Sequence, residues 1–382
     1  MFQKVNSAGL WGMDGVLISV EADVHEGLPG FVMTGNLSRE TREGQERVRT
    51  ALKNGGFRLG PKKVTINLAP ADIRKEGTSY DLAMAAAVLG AFGIIDASCL
   101  EDGMLVGELG LDGEVKPVRG MLSLVSAAKE GKLKRCFLPR ENAAEGSAIQ
   151  GMEIIPVSNI RELVQLVEHP ERIQGFFGKP WEELEADLGQ AYDVDFSELN
   201  GQQILRRATE VAVAGRHNIL YIGPAGSGKT MAARRIPTIL PALSQEESLE
   251  ISKIYSICGL LPKDTPLLTR RPFRSPHHTI TPTALAGGGA VPRPGEISLA
   301  SGGVLFLDEL PEFASKSIEI LRQPLEDRKV TVSRLYGSYT FPANVMVAAA
   351  MNVGTSNLIQ AIYDKKAENV AKSRYFFDFL SD

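Results

Sequence analysis

The sequence Asn-Ile-Leu-Tyr-Ile-Gly-Pro-Ala-Gly-Ser-Gly-Lys-Thr occupies residues 218–230. Its apolar run, 219–222, is typical of a strand buried on both faces, and residues 231–236 can continue as a helix. The spacing Gly-x4-Gly-Lys-Thr lets successive backbone N–H groups converge on a phosphate at the positive end of that helix. A glycine-rich turn without a ligand can show this pattern by chance. The flanking strand and helix favour a nucleotide site.

Two side chains of this motif are predicted to do more than contact the nucleotide. Lys229 is expected to neutralise the β- and γ-phosphates and so to assist catalysis, and the Thr230 hydroxyl is expected to ligate Mg²⁺. The residues predicted to bind the nucleotide are Gly223, Pro224, Ala225, Gly226, Ser227, Gly228, Lys229, Thr230 and Met231.

A second motif, Gly-Val-Leu-Phe-Leu-Asp-Glu, occupies residues 303–309. Four apolar residues ending in adjacent carboxylates predict a buried parallel strand beside the first one. Asp308 is expected to hold Mg²⁺, and Glu309 to orient and deprotonate the attacking water. Alone, such a run is a common strand end that meets solvent. Its position 80 residues after Lys229 favours the catalytic interpretation.

A third motif is the apolar stretch 345–349, which is followed closely by Asn352. The amide could hydrogen-bond the γ-phosphate or the attacking water, which makes Asn352 a candidate catalytic residue. Taken by itself, Asn352 could equally be a turn residue. Its place after the other two motifs favours the catalytic role.

Composition sets broader bounds. The 382 residues are enough for two domains, and the formal net charge of −4 gives no global sign of nucleic-acid binding. The three cysteines stand far apart and in no metal-binding spacing. No apolar run approaches the ~18 residues of a membrane span, and no signal peptide is recognisable. A cytoplasmic protein without membrane contact is expected.

Residues 1–168 are expected to form an α+β domain. A half-buried strand is predicted over 16–24, with residues 31–34 pairing back on it. Further strands are predicted at 63–68 and 135–138, a hairpin around Asp112-Gly113, and helices at 82–89, 122–128 and 160–167. Because 169–198 is rich in proline, glycine and acidic residues, it is predicted to be a linker.

This first half resembles the ribosomal-S5-like fold of the Lon protease domain, as found at the front of magnesium-chelatase-like proteins of the YifB/ComM family. The resemblance rests on the stretches 69–82 and 107–120. In Lon-type proteases a serine occupies the place of Ser79, but the place of the lysine base is taken here by about Leu122, which cannot accept a proton. We therefore expect a non-catalytic domain rather than a protease, with Ser79 as the N-cap of the following helix and Asp81 in its first turn.

The second half, 199–352, resembles the core of AAA+ ATPases, whose Walker A, Walker B and sensor 1 motifs correspond to the three stretches above. Residues 271–296 resemble the helix-2 insertion of the magnesium-chelatase subgroup, and residues 321–332 resemble its helix and hairpin before sensor 1. His277 and His278 invite a metal interpretation, but adjacent histidines point apart on regular backbone and no other ligands accompany them. Loop hydrogen bonds or polymer contacts are favoured.

The chain departs from the family pattern after Asn352. The residues 353–382 do not fit the expected arginine finger and helical lid, so the α/β P-loop domain is expected to lack its lid and to hydrolyse ATP slowly alone. The resemblance implies an ATP- and Mg²⁺-dependent homo-oligomeric ring, a hexamer in full-length relatives, acting on DNA in a branch-migration, helicase-like or competence role, or on a protein partner. A catalytically weak nucleotide-binding or interaction protein is the alternative. A chelatase subunit is a third, disfavoured by the Lon-like half.

Overall fold

The structure, a computed structural model, describes residues 1–188, 192–262, 265–289, 291–334 and 337–352. The chain forms two compact units. One comprises Met1–Leu184 with Tyr255–Leu267, and the other comprises Glu185–Ile254 with the described residues from Leu268 onward. The sequence interpretation of the tail, 353–382, lies outside the described residues. Within the described ranges, no helix combines the length and apolar character needed to cross a membrane.

The first unit is built on a mixed seven-stranded sheet with the order β3-β4-β2-β1-β5-β8-β9. Its strands are β1 (Phe2–Trp11), β2 (Asp14–His25), β3 (Gly30–Thr34), β4 (Lys63–Ala69), β5 (Gly103–Leu105), β6 (Glu108–Leu109), β7 (Val115–Lys116), β8 (Arg135–Pro139) and β9 (Glu153–Val157). Its helices are α1 (Arg39–Asn54), α2 (Asp81–Ala91), α3 (Met121–Glu130), α4 (Ala143–Ser147) and α5 (Ile160–Glu168), and α6 (Trp181–Leu188) begins in this unit. The predicted combination of strands and helices is confirmed.

The pairing of β3 differs from the prediction. β3 lies parallel to β4, which separates it from β2, so the expectation that residues 31–34 pair back on the preceding strand is wrong. Apolar alternation identifies a strand but not its neighbour, because the partner is chosen by the whole sheet. The hairpin around Asp112-Gly113 is confirmed in short form, since β6 pairs with β7, while β5 joins the large sheet.

The first strand, β1, was missed by the sequence interpretation because glycines interrupt it. It pairs along its whole length with β2 and is a central strand of the sheet. Gly9 is required there because a Cβ atom at this position would collide with the hydroxyl of Tyr80. A glycine that weakens the strand pattern thus marks a close approach of an aromatic side chain.

Ser79 is not the N-cap of α2, so that expectation is wrong. Helix α2 begins at Asp81, its cap position is Tyr80, and no side chain caps it. The Ser79 hydroxyl instead donates to the carbonyl of Ala8 at 3.3 Å, and the Leu82 N–H is satisfied by the carbonyl of Gly107. The connection between β5 and β6 therefore supplies the acceptor that a capping side chain would otherwise provide. Asp81 does lie in the first turn, as predicted.

The second unit contains a four-stranded parallel sheet with the order β10-β17-β14-β11. Its strands are β10 (Ile219–Gly223), β11 (Phe273–Arg274), β12 (Gly287–Gly288), β13 (Arg293–Pro294), β14 (Val304–Leu307), β15 (Lys329–Arg334), β16 (Gly337–Pro342) and β17 (Met346–Asn352). The helices are α7 (Gln203–Gly215), α8 (Lys229–Arg235), α9 (Gln245–Cys258), which ends in the first unit, α10 (Pro282–Ala286), α11 (Glu296–Leu299), α12 (Ser315–Glu319) and α13 (Arg322–Asp327).

The apolar run of the second motif is buried on both faces of this sheet, as predicted, and that of the third motif is buried from Met346 onward. The run 219–222 is not buried on both faces, because Ile222 is 45% exposed. All four residues of β14 are inaccessible to solvent, and so is β17 as far as Met351. Phe306 of β14 stacks on Phe273 of β11 with the ring centroids 5.9 Å apart. Two antiparallel hairpins, β12–β13 and β15–β16, lie outside the parallel sheet.

Candidate nucleotide-binding site

The three sequence motifs meet at one edge of the parallel sheet. β17 lies between β10 and β14, and the carboxyl ends of all three strands point the same way. In this register Gly223 stands opposite Asn352, and Leu307, which precedes Asp308, stands opposite Ala349. Residues separated by more than a hundred positions thus share the edge at which parallel α/β sheets bind ligands.

The glycine-rich loop turns sharply between β10 and α8. Gly226 and Gly228 have φ angles of +76° and +86°, a region that residues with a Cβ atom rarely adopt. No atom lies within 4 Å of the place where a Cβ would stand on either residue. The loop therefore bends around open space, which fits a phosphate group approached closely by the backbone. Met231, also predicted to contact nucleotide, has a side chain that is 41% exposed.

Lys229 is the best-anchored side chain of the site. Its ammonium group donates to the carbonyls of Gly223 at 3.0 Å and Pro224 at 2.8 Å, and to the Ser227 hydroxyl at 3.3 Å. A further hydrogen bond, of 3.0 Å, goes to the amide oxygen of Asn352. Only 8% of Lys229 is exposed. The first and third motifs are thus joined directly, with the positive charge held at the mouth of the loop.

Thr230 and Asp308 join the first and second motifs. The Thr230 hydroxyl donates to Oδ2 of Asp308 at 2.9 Å, and the other carboxylate oxygen accepts from the backbone N–H of Glu309 at 3.0 Å. A hydroxyl beside a carboxylate is a donor set that suits Mg²⁺ when the nucleotide phosphates supply further oxygens. No cluster of three or more histidine, cysteine or acidic residues suited to a metal occurs in the described part of the chain. The Thr230 hydroxyl and the Asp308 carboxylate fit a metal that a nucleotide would bring.

Glu309, the predicted general base, follows β14 but turns differently from a strand residue. Its φ angle is +55°, in the left-handed region. More than half of its side chain, 56%, is exposed, and one carboxylate oxygen lies 3.7 Å from Nδ1 of His278. The structure therefore joins Lys229 to Asn352 and Thr230 to Asp308 by hydrogen bonds. Glu309 follows Asp308 at the end of the strand.

The sequence interpretation missed an ion pair that stabilises this sheet. Arg271, only 3% exposed by side chain, donates to Glu247 at 2.9 Å and to the carbonyl of Gly302 at 2.6 Å. Burial raises the pKa of the Glu247 carboxyl, but the hydrogen bond and charge of Arg271 outweigh it, so that the pKa lies below its ordinary value. Arg271 stands in a motif quoted above, but nothing in its spacing identifies Glu247 as the partner.

Comparison with known proteins agrees with this geometry. The family model described as magnesium chelatase, subunit ChlI, matches residues 195–381, and a second model, subunit ChlI of Mg-chelatase, matches residues 20–142. The first match includes most of the segment beyond Asn352. Lon protease of Rhizobium meliloti is 27% identical over 174 residues, which cover 42% of this chain and 21% of that protein.

Three longer relatives match nearly the whole chain. Competence protein ComM of Haemophilus influenzae is 37% identical over 350 residues, or 91% of this chain and 68% of that protein. The protein YifB of Escherichia coli is 39% identical over 94% of this chain and 70% of its own length. An uncharacterized protein of Mycobacterium tuberculosis is 41% identical over 91% of this chain and 68% of its own length.

The fold and the site together define a mixed α/β protein whose parallel sheet and glycine-rich loop are consistent with the P-loop class. The similarity to these relatives identifies the family. The chain belongs to the magnesium-chelatase-like family of ComM and YifB.

Proposed function

We propose that this chain binds ATP with Mg²⁺ in the loop 223–231 and hydrolyses the bond between its β- and γ-phosphates to give ADP and phosphate. The observation that carries the proposal is the joining of three distant motifs by two contacts, Lys229 with Asn352 and Thr230 with Asp308. A bare glycine-rich turn would need neither a buried lysine nor a carboxylate aligned with a threonine hydroxyl. Family membership supports nucleotide use independently.

Each residue has a distinct part in this proposal. Loop N–H groups and Lys229 bind the phosphates, which places positive charge where negative charge develops during phosphoryl transfer. Thr230 and Asp308 would hold Mg²⁺, which neutralises phosphate oxygens when bound. Glu309 accepts a proton from the attacking water, and Asn352 orients the water or the γ-phosphate.

A titration with a fluorescent ATP analogue in the presence of Mg²⁺ tests binding. Lys229→Ala should abolish the saturable signal, because the substitution removes both the buried charge and its link to Asn352. Lys329→Ala is the matched control, since this exposed lysine lies on β15 and should leave the affinity unchanged. Equal signals from the Lys229→Ala protein and the parent chain would refute the proposal.

Hydrolysis is tested separately by release of phosphate from ATP. Glu309→Gln should retain binding and lose turnover, because a neutral amide cannot accept the proton. Binding without Glu309-dependent turnover in the parent chain would favour the alternative, a nucleotide-binding or interaction protein.

The proposal extends to a cytoplasmic homo-oligomeric ring motor, hexameric in full-length relatives, that acts on DNA or on a protein partner. The name of the Haemophilus relative, competence protein ComM, supports a competence-related role with DNA. Exposed Arg293 on the β12–β13 hairpin, and Arg334 on β15, which donates to the Gly289 carbonyl at 3.0 Å, supply basic groups for a polyanion. ATPase rates with and without single-stranded DNA, at several salt concentrations, distinguish DNA from a protein partner.

The first half, 1–168, is proposed to be a non-proteolytic scaffold joined through 169–198 to the ATPase core, 199–352. Leu122, at about the place of the Lon lysine, is fully buried and apolar, and the Ser79 hydroxyl is directed to a backbone carbonyl. Casein hydrolysis that Ser79→Ala abolishes would contradict this assignment.

A further inference from the structure

The insertion between β11 and α11 begins at a strand that pairs with β14 and ends at the helix that precedes β14 in the chain. Arg274, the last residue of β11, forms a two-pronged ion pair with Glu296, the first residue of α11, at 2.6 and 2.7 Å. This pair fixes the base of the segment 275–295. The segment carries His277 and His278 in its first turn and the β12–β13 hairpin farther along the chain.

His278 is held in place by aromatic contacts on two sides. Its ring lies 4.0 Å from the ring of His277 and makes an edge contact with Phe313, with the ring centroids 6.4 Å apart. The turn is closed by a hydrogen bond from the Ile280 N–H to the His277 carbonyl. The Ser317 hydroxyl donates to the Ile280 carbonyl at 3.2 Å. The turn is therefore packed on the residues that follow Glu309 in the chain.

Glu309 has a fixed backbone and an exposed side chain. Its N–H is bonded to Asp308 and its φ angle is set by the turn after β14, whereas the exposed carboxylate can adopt several rotamers. The distance from Oε2 to Nδ1 of His278 is 3.7 Å, which exceeds a hydrogen bond but is closed by a small side-chain rotation. As an exposed contact, it adds little to stability, about 0–1 kcal/mol.

We propose that His278 is a positioning residue that orients the Glu309 carboxylate for its part in hydrolysis. The inference rests on the proposed ATPase function. A ring nitrogen that donates to Oε2 leaves the other carboxylate oxygen for the attacking water and selects one rotamer of a mobile base. Correct orientation of a base raises the rate of the chemical step and leaves nucleotide binding unchanged. The contact also brings the turn 277–280 to the catalytic site.

Single-turnover hydrolysis with the chain in excess over ATP, combined with titration of the fluorescent analogue, tests the proposal. His278→Phe keeps the edge contact with Phe313 and removes the donor, and it should lower the hydrolysis rate constant about 10-fold with an unchanged dissociation constant. His278→Asn places an amide N–H near the position of Nδ1 and should recover most of the rate. In a Glu309→Gln background, whose slow residual hydrolysis no longer uses the carboxylate, His278→Phe should cause no further loss of rate.

His25→Ala is the matched control, because His25 also faces a carboxylate, that of Asp23 at 3.1 Å, but on β2 of the first unit. It should leave the rate unchanged. A His278→Phe rate equal to that of the parent, a loss of nucleotide affinity, or an equal rate loss in the Glu309→Gln background would overturn the proposal. A parent chain that binds ATP without Glu309-dependent hydrolysis would also overturn it and leave nucleotide binding intact. Failure of the parent to bind ATP would instead overturn the proposed function itself, together with the role of His278.

Discussion

Asp308→Asn should weaken ATP binding when Mg²⁺ is present and strengthen it when Mg²⁺ is absent. With the metal, the carboxylate supplies a negative charge that the amide lacks. Without the metal, the same carboxylate repels the phosphates across the loop. The direction of the effect therefore reverses with a single change of buffer, which no general loss of folding would produce.

The structure indicates that the substitution is nearly neutral for folding. Asp308 accepts one hydrogen bond from Thr230 at 2.9 Å and one from the N–H of Glu309 at 3.0 Å. An asparagine has the same shape: its oxygen can accept from Glu309, while its NH₂ donates to the Thr230 hydroxyl. The exchange should cost about 1 kcal/mol or less of folding stability.

The effect of the lost charge on ATP binding is larger than this cost in folding stability. Altering groups that support a metal typically costs about 10–100-fold in metal affinity, which corresponds to roughly 1.4–2.8 kcal/mol. Without the metal, one carboxylate facing a polyanion at an effective dielectric near 20 opposes binding by about 1–3 kcal/mol before salt screening.

The assay is titration of the fluorescent ATP analogue with each protein, in excess Mg²⁺ and again in excess EDTA. Asp327→Asn is the matched control, because this carboxylate lies on α13 and accepts a surface hydrogen bond from Gln323 at 3.3 Å. It should change neither affinity. Equal affinities of the Asp308→Asn and parent chains in both buffers would refute the reasoning.

Further predictions concern stability and are checked by urea unfolding followed by circular dichroism. Gly303→Ala should destabilise the protein by about 2 kcal/mol or more, because its Cβ would collide with the Pro272 carbonyl, whereas Gly226→Ala meets open space and should cost only about 1 kcal/mol for its left-handed φ; equal losses would contradict this. Arg271→Met should cost about 2 kcal/mol, because three backbone carbonyls lose a buried donor while Glu247 keeps its ion pair with Arg216, and a loss below 1 kcal/mol would show that water replaces it. Burial raises the pKa of Asp81 from 3.8 to about 6, although the hydrogen bond and charge of Arg47 oppose the increase. The ionised carboxylate therefore lowers the free energy of unfolding, and this loss of stability is absent below pH 4 and complete above pH 6. The stability of Asp81→Asn relative to the parent should therefore rise by roughly 3 kcal/mol between these pH values, and a difference that stays constant with pH would contradict the assignment.

The sequence predicted the strand and the glycine-rich loop of the first motif because their signals are local. Four apolar residues followed by freely bending glycines predict a strand and a tight loop wherever they occur. The same applies to the apolar run before Asp308. Strand β1 was missed because Gly9, needed for the approach of Tyr80, looks like an interruption when its neighbour is unknown.

Contacts between distant segments could not be predicted in the same way. The missing cap at Ser79 is one example, since the carbonyl that satisfies the start of α2 comes from Gly107. The partnership of Arg271 with Glu247 is another. In each case the residue type was informative, but the partner was fixed by the packing of separate elements.

The sequence by itself determined which residues could bind a phosphate and a metal, because residue chemistry and periodicity are properties of short segments. Only the tertiary structure decided that Lys229 meets Asn352, that Thr230 meets Asp308, and that His278 stands beside Glu309. The physical reason is the parallel order of β10, β17 and β14, which aligns the ends of strands far apart in the chain. That order depends on how the apolar faces of the whole sheet are buried, which no single stretch encodes.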